Sequence, residues 1–160
     1  MPRTAEKLAP ARRTRRNEGS ARVSSQRFGD REVPADRILE VPEGLVGFPQ
    51  HRRFARLECR AGSPFEWLLS LEDPELAFAV GDPSRLVRGY EAPRAEAAVA
   101  LHADVDDVEF LALVAIPKDV RRMTIDLVAP IAIDRRRRVA RQLLVSDPRW
   151  DAAVPILRRA

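Results

Sequence analysis

One cysteine, two histidines and no long apolar run occur in the 160 residues. Each scarcity closes off a class of chemistry. A lone cysteine, Cys59, cannot form an internal disulfide. It sits in an alternating segment and reads as a half-buried small hydrophobe rather than a nucleophile. His51 and His102 stand in unrelated contexts, and no pair of His or Cys has metal spacing. The sequence therefore predicts no metal and no cofactor. No stretch of 18 apolar residues is present, so no membrane-spanning helix is expected. Arg15 and Arg16 are followed by Asn17, Glu18 and Gly19 rather than by an apolar segment. No secretory or twin-arginine signal is read there, and the expected compartment is the cytoplasm.

Catalytic signatures are equally sparse. Gly44 and Gly47 lack the Lys-Ser or Lys-Thr that would make a phosphate loop. Ser63 and Ser70 lack nucleophile-elbow surroundings. Asp73, Glu75 and Asp82 could be taken for paired carboxylates. Each stands beside a proline or in a turn, where acids usually cap or face solvent. The expectation is a binding protein, not an enzyme.

What is present is charge, unevenly placed. The chain carries a net +4, yet residues 1–22 hold seven Lys or Arg against two acids, a net +5 that leaves −1 for residues 23–160. Residues 1–22 have one leucine and no aromatic. Such a segment cannot bury enough apolar surface to offset chain entropy, so a disordered basic extension is predicted, followed by one folded domain over residues 23–160.

Within that domain the pattern changes every 6–12 residues, punctuated by Pro, Gly and Asp. A hairpin is expected around Phe28-Gly29-Asp30. Strands are expected over residues 36–41, 53–59 (with a bulge or helical turn), 65–71, 76–80, 109–116, 123–127, 131–133 and 139–145. A helix is expected over residues 92–102, ended by Asp104, Asp106 and Asp107. Many short strands and one convincing helix predict a mainly β single domain, a barrel-like antiparallel or mixed sheet with one or two short helices. Long helices alternating with strands, as a dinucleotide-binding fold requires, are missing.

Several residues suggest a recognition surface. Phe65, Trp67 and Phe78 share strand parity and read as core. The run Glu72-Asp73-Pro74-Glu75, with Asp82-Pro83, could present a rigid acidic rim to a basic partner. Leu45, Val46 and Phe48 could line an apolar groove for an amphipathic helix. Arg135-Arg136-Arg137-Arg138 reads as a solubilising hairpin tip. Its functional alternative, with the basic tail, is direct RNA binding. Neither basic segment interleaves aromatics for base stacking, so direct nucleic-acid binding is the weaker reading.

Three segments resemble the flagellar assembly factor FliW family. They are Val41-Pro42-Glu43-Gly44-Leu45-Val46-Gly47-Phe48, the stretch from Ser63 to Pro83 containing Phe65-Glu66-Trp67-Leu68-Leu69-Ser70-Leu71-Glu72-Asp73-Pro74, and Met123 to Asp134 with Gln142 beyond it. They come in the family's order and span about two-thirds of the chain. Leu69 departs from the family's usual glutamine, and Asp126 and Asp134 from its common asparagines. The resemblance implies a cytoplasmic factor that binds flagellin and, alternately, the translational regulator CsrA, relieving repression of flagellin synthesis. It also implies an effect on RNA affinity through a separate grip on CsrA rather than phosphate mimicry.

Overall fold

The computed structural model describes residues 20–156. The basic extension expected over residues 1–22 lies outside the described residues as far as residue 19. Ala21 and Arg22 already belong to the first strand.

Eleven strands are present among the described residues: β1 (Ala21–Ser25), β2 (Gly29–Val33), β3 (Ile38–Glu40), β4 (Arg53–Glu58), β5 (Phe65–Ser70), β6 (Ala77–Gly81), β7 (Val108–Ala115), β8 (Thr124–Ile125), β9 (Ile131–Asp134), β10 (Val139–Gln142) and β11 (Val154–Pro155). Two short helices, α1 (Pro83–Leu86) and α2 (Arg94–Leu101), fall between β6 and β7. The strands pair in the order β7-β6-β5-β4-β3-β10-β9, and β9 returns to β7, closing a seven-strand barrel. Every pairing is antiparallel except β3 with β10. The sequence expectation of a mainly β barrel with short helices therefore holds.

Strand alternation explains the interior. Leu39, Phe54, Leu68, Val80, Leu111, Ile131, Ile133 and Ala140 project inward with Val41 and Leu45 to make one buried cluster. A barrel of this size is narrow enough for side chains to fill. The outer face is covered as well, which is why β7 reads as a nearly continuous apolar run. The β1–β2 hairpin lies over Ile38, Ala55, Leu57 and Leu69. Helix α2 covers Val108, Phe110 and Ala132 with Ala97 and Leu101. The C-terminal segment brings Trp150, Val154 and Ile156 against Ala112, Val114 and Ile125.

Several expected boundaries shift. The first turn falls at residues 26–28, and Gly29 opens β2 with φ +74°. β4 runs through Arg53–Glu58 without a bulge or helical turn. Cys59 lies just past its end and is exposed, not half-buried. His102 ends α2 by adopting φ 53°, so the helix stops before the acids expected to break it. Asp104 instead begins a short 3-10 turn, its carboxylate accepting from Asp106 N. Met123–Leu127 shortens to the two residues of β8, because Asp126 Oδ1 accepts from Val128 N and Ala129 N and turns the chain. The strand expected to 145 stops at Gln142, and β11 is the last strand.

The two ends of the barrel are closed by different chemistry. At one end lie the loop after β3, the β5–β6 turn and the C-terminus of β10. At the other, the interior positions are ionic. Arg56 donates to Glu66 at 2.8 and 2.9 Å and to Glu109 at 2.9 and 3.2 Å. Arg37 adds a second cation to Glu66 at 3.2 Å. Burial alone would lower the Arg56 pKa, but its bonds to Glu66 and Glu109 outweigh it and raise it. Burial alone would raise Glu66; the hydrogen bonds and charges of Arg56 and Arg37 hold it below the usual carboxylate range.

A lowered carboxyl contributes stability that is present above its ordinary pKa and lost as pH falls through the folded value. Glu66→Gln is therefore expected to lower unfolding free energy by about 3 kcal/mol at pH 7, the order seen when one partner of a buried pair is removed. Guanidinium denaturation at pH 7 and again at pH 3 checks this. The difference between the two proteins should shrink on acidification.

Candidate functional site

The segment after β3 is built by local rules. Gly44 N donates to Val41 O at 2.8 Å and Phe48 N to Leu45 O at 2.7 Å, making consecutive tight turns. Gly44 has φ +68°, and a Cβ there would stand 2.5 Å from Phe48 O and 2.7 Å from the Pro49 Cα. Only glycine fits both constraints. The loop is then anchored from β10. Gln142 Oε1 accepts from Val46 N at 2.7 Å, while its Nε2 donates to Ala129 O at 2.9 Å. Phe48 meets Phe78 edge-on at 5.0 Å and His51 at 5.9 Å.

The expected groove is thus corrected. Leu45 is 2% exposed and belongs to the barrel core. Phe48 is half-buried, and Val46 alone stands out at 68% exposure. Internal packing uses the apolar residues that a groove would need.

Beside this loop, the β5–β6 turn carries the acidic run. Ser70 is fully buried and its Oγ accepts from Glu72 N at 3.2 Å and Asp73 N at 3.1 Å, with His51 Nδ1 2.8 Å away. Each carboxylate also braces backbone. Glu72 Oε1 accepts from Arg53 N, Asp73 Oδ1 from Glu75 N, and Glu75 Oε2 from Gln26 N. Glu72, Asp73 and Glu75 are nonetheless exposed, and Pro74 is half-buried.

Asp82 and Pro83 do not join this rim. They follow the other end of β6, five residues and about 17 Å of strand away. Asp82 caps α1 through Ser84 N at 2.9 Å, and Pro83 is buried.

The aromatic parity also needs correction. Trp67 pairs with Ala79, and Leu68 with Phe78, so Trp67 and Phe78 occupy opposite faces. Trp67 is covered by Phe28 at 5.6 Å and by the Arg27 guanidinium at 4.8 Å.

The arginine run is a hairpin tip, as expected, and its charges are largely answered internally. Asp134 Oδ1 accepts from Arg136 N and Arg137 N, and its Oδ2 from Arg137 Nε at 2.6 Å. Arg136 pairs with Asp107 at 3.2 Å, Arg135 donates to Asp106 O, and Arg138 closes the turn with φ 58°. The tip lies at the ionic end of the barrel, away from the acidic turn.

One feature left no signal in the sequence pattern. A cleft of about 450 Å³ lies between residues 90–96 and 143–150. Tyr90 and Trp150 rings meet in it at 5.8 Å. Burial, with Asp147 and Asp82 nearby, pushes the Tyr90 phenol up to about 12.

With this geometry in hand, comparison with known proteins is decisive. The family model described as FliW protein matches residues 22–156. The chain belongs to the FliW family. The flagellar assembly factor FliW of Geobacter sulfurreducens is 34% identical over 140 residues, covering 86% of this chain and 87% of that protein. The one from Carboxydothermus hydrogenoformans is 33% identical over 137 residues, covering 84% and 88%. A crystal structure of the flagellar assembly factor FliW superposes with TM-score 0.76 at 21% identity, covering 87% of this chain and 99% of that one. That last likeness shows the shared fold.

The segments that carried the resemblance hold the loop after β3, strands β5, β6, β8 and β9, and the turns that join them. The Asp126 and Asp134 departures keep acceptor roles that asparagine Oδ1 also fills. Leu69 lies fully buried beneath the β1–β2 hairpin.

Two outcomes are expected. Gly44→Ala should destabilise the protein by about 2 kcal/mol or more, since the residue is both left-handed and hemmed in by backbone; thermal denaturation checks it. Tyr90 should stay protonated past the range of an ordinary tyrosine, seen by absorbance titration at 295 nm. Because its folded pKa is raised from 10.0 to about 12, its contribution to stability is full below pH 10 and declines as pH rises toward 12.

Proposed function

We propose that this chain is a cytoplasmic partner-switching factor of flagellar assembly that binds flagellin and, alternately, the translational regulator CsrA. Capture of CsrA would relieve repression of flagellin synthesis. Flagellin accumulating before export would occupy the factor and release CsrA. Membership of the FliW family supports the assembly role, and no helix among the described residues is long and apolar enough to cross a membrane.

The observation that carries the partner reading is the acidic β5–β6 turn. Glu72, Asp73 and Glu75 are exposed on a turn pinned at Ser70, which His51 of the neighbouring loop also meets. An RNA-binding regulator has a basic surface, and a fixed acidic patch would steer its approach and set its orientation. The Arg135–Arg138 tip supports direct RNA binding less well, because the guanidinium groups of Arg135, Arg136 and Arg137 already meet Asp107, Asp134 and backbone carbonyls.

The test is co-purification of the full chain with tagged CsrA and tagged flagellin, separately and together. Binding to each, with flagellin displacing CsrA, is the expected result; binding to neither overturns the reading. Neutralising the turn with Glu72→Gln, Asp73→Asn and Glu75→Gln keeps its backbone acceptors while removing three charges. Titration calorimetry should then show CsrA binding weakened by about 1–3 kcal/mol, as for one or two charge-assisted contacts. Unchanged affinity would place the CsrA surface elsewhere.

A further inference from the structure

The cleft between the start of α2 and the segment after β10 presents an unused strand edge. Leu143 N donates to Pro130 O and Val145 N to Val128 O, both at 2.8 Å. These bonds extend the β10 pairing outward by alternate residues. The Leu144 amide between them takes no hydrogen bond among the described residues, and its side chain is 77% exposed. The edge is therefore free on the side away from residues 128–130.

The rest of the cleft has a consistent character. Its lining includes Glu91, Glu96 and Asp147 and no Lys or Arg. Arg149, outside the lining, pairs with Glu91 and Asp147, whereas Glu96 has no ion pair among the described residues. At the floor, the Tyr90 hydroxyl and the Trp150 indole N–H are buried without a hydrogen-bond partner. Both polar atoms lie beneath the cleft surface, so the indole N–H reports on an occupant rather than contacting it. The volume, about 450 Å³, falls in the range of ligand clefts, about 300–1,000 Å³.

We infer that this cleft receives an extended strand from a partner protein, one that bears Lys or Arg on either side of apolar residues and adds to the Leu144 edge by main-chain pairing. Main-chain bonds supply affinity in such strand addition, and side-chain chemistry supplies choice. Arg149 already offsets Glu91 and Asp147, so the charge that favours a basic residue by complementarity is that of Glu96. The chain's own residues 1–19 are basic too, but they carry Pro2 and Pro10 and a single leucine, Leu8. That composition is poor for a paired strand. The inference concerns a surface apart from the acidic turn and does not rest on which proteins bind there.

The probe is the peptide acetyl-Lys-Leu-Lys-Val-Lys-Leu-amide, titrated into the full-length ¹⁵N-labelled protein. Saturable shifts are expected at the Leu144 and Ser146 amides and the Trp150 indole N–H. The equally charged acetyl-Lys-Pro-Lys-Pro-Lys-Pro-amide, which cannot pair as a strand, should not produce them. Glu96→Lys, on an exposed helix position, should weaken binding at least about tenfold, and Leu144→Pro, which removes the free amide, should do the same. Three results would overturn the proposal: no saturable shift, shifts confined to another face, or equal binding by both peptides. A fourth would as well. If replacing Arg12, Arg13, Arg15 and Arg16 by Ala moves the Trp150 indole signal without peptide, the occupant is the chain's own tail.

Discussion

The pairing of β7 with β9 is the constraint on which the rest depends. Without it the seven strands would form an open sheet with two exposed edges, each a template for unwanted pairing. Closure removes those edges, but it creates two open ends and an interior that must be filled. The sequence answers each demand separately. Leu39, Phe54, Leu68, Leu111, Ile131 and Ile133 fill the middle. Leu45 and Phe48 fold back over one end. Arg56, Glu66 and Glu109 close the other.

The ionic end shows why magnitudes matter. Moving a charge out of water costs several kcal/mol, and a pair recovers this only with good geometry and further hydrogen bonds. Arg56 has both, with paired bonds to each of two carboxylates. Two carboxylates around one guanidinium would repel, and Arg37 offsets the excess at Glu66. An apolar plug would be at least as stable by general expectation. The ionic one instead fixes which residues of β4, β5 and β7 face each other, because a register slip would strand a buried charge.

Much of this architecture is legible in the residues. Short alternating runs and turn residues give the barrel class, and the Arg135–Arg138 tip follows from charge between two apolar strands. The misreadings have common physical causes. Strand parity does not give the register between β5 and β6, and it is the register that puts Trp67 and Phe78 on opposite faces. The loop apolars Leu45 and Phe48 looked available because periodicity does not reveal a loop folding into a barrel mouth. Asp82 seemed part of an acidic rim because sequence nearness hides a strand's length. The cleft at Tyr90 and Trp150 had no signal, since its walls lie about 50 residues apart in the chain. Function was legible only through resemblance. Catalysis demands particular residue types in particular geometry, whereas a binding surface draws on any exposed side chains.

That difference also bears on how the acidic turn could serve recognition. Glu72, Asp73 and Glu75 each give one carboxylate oxygen to a backbone amide, from Arg53, Glu75 and Gln26 respectively. Their remaining oxygens accept no hydrogen bond from the described residues. The bonds that shape the turn therefore also restrict the side chains that would meet a partner. A flexible acidic loop would lose about 0.5–1.5 kcal/mol for each long side chain it had to immobilise on binding. Here folding has already absorbed part of that cost. The Glu75 bond reaches across to the β1–β2 hairpin, so the charged surface is held by the outer layer of the protein as well as by the barrel. On the proposed reading stability and recognition would be coupled at these three residues, which is why neutralisation that preserves their acceptor atoms separates the two roles more cleanly than deletion of the side chains.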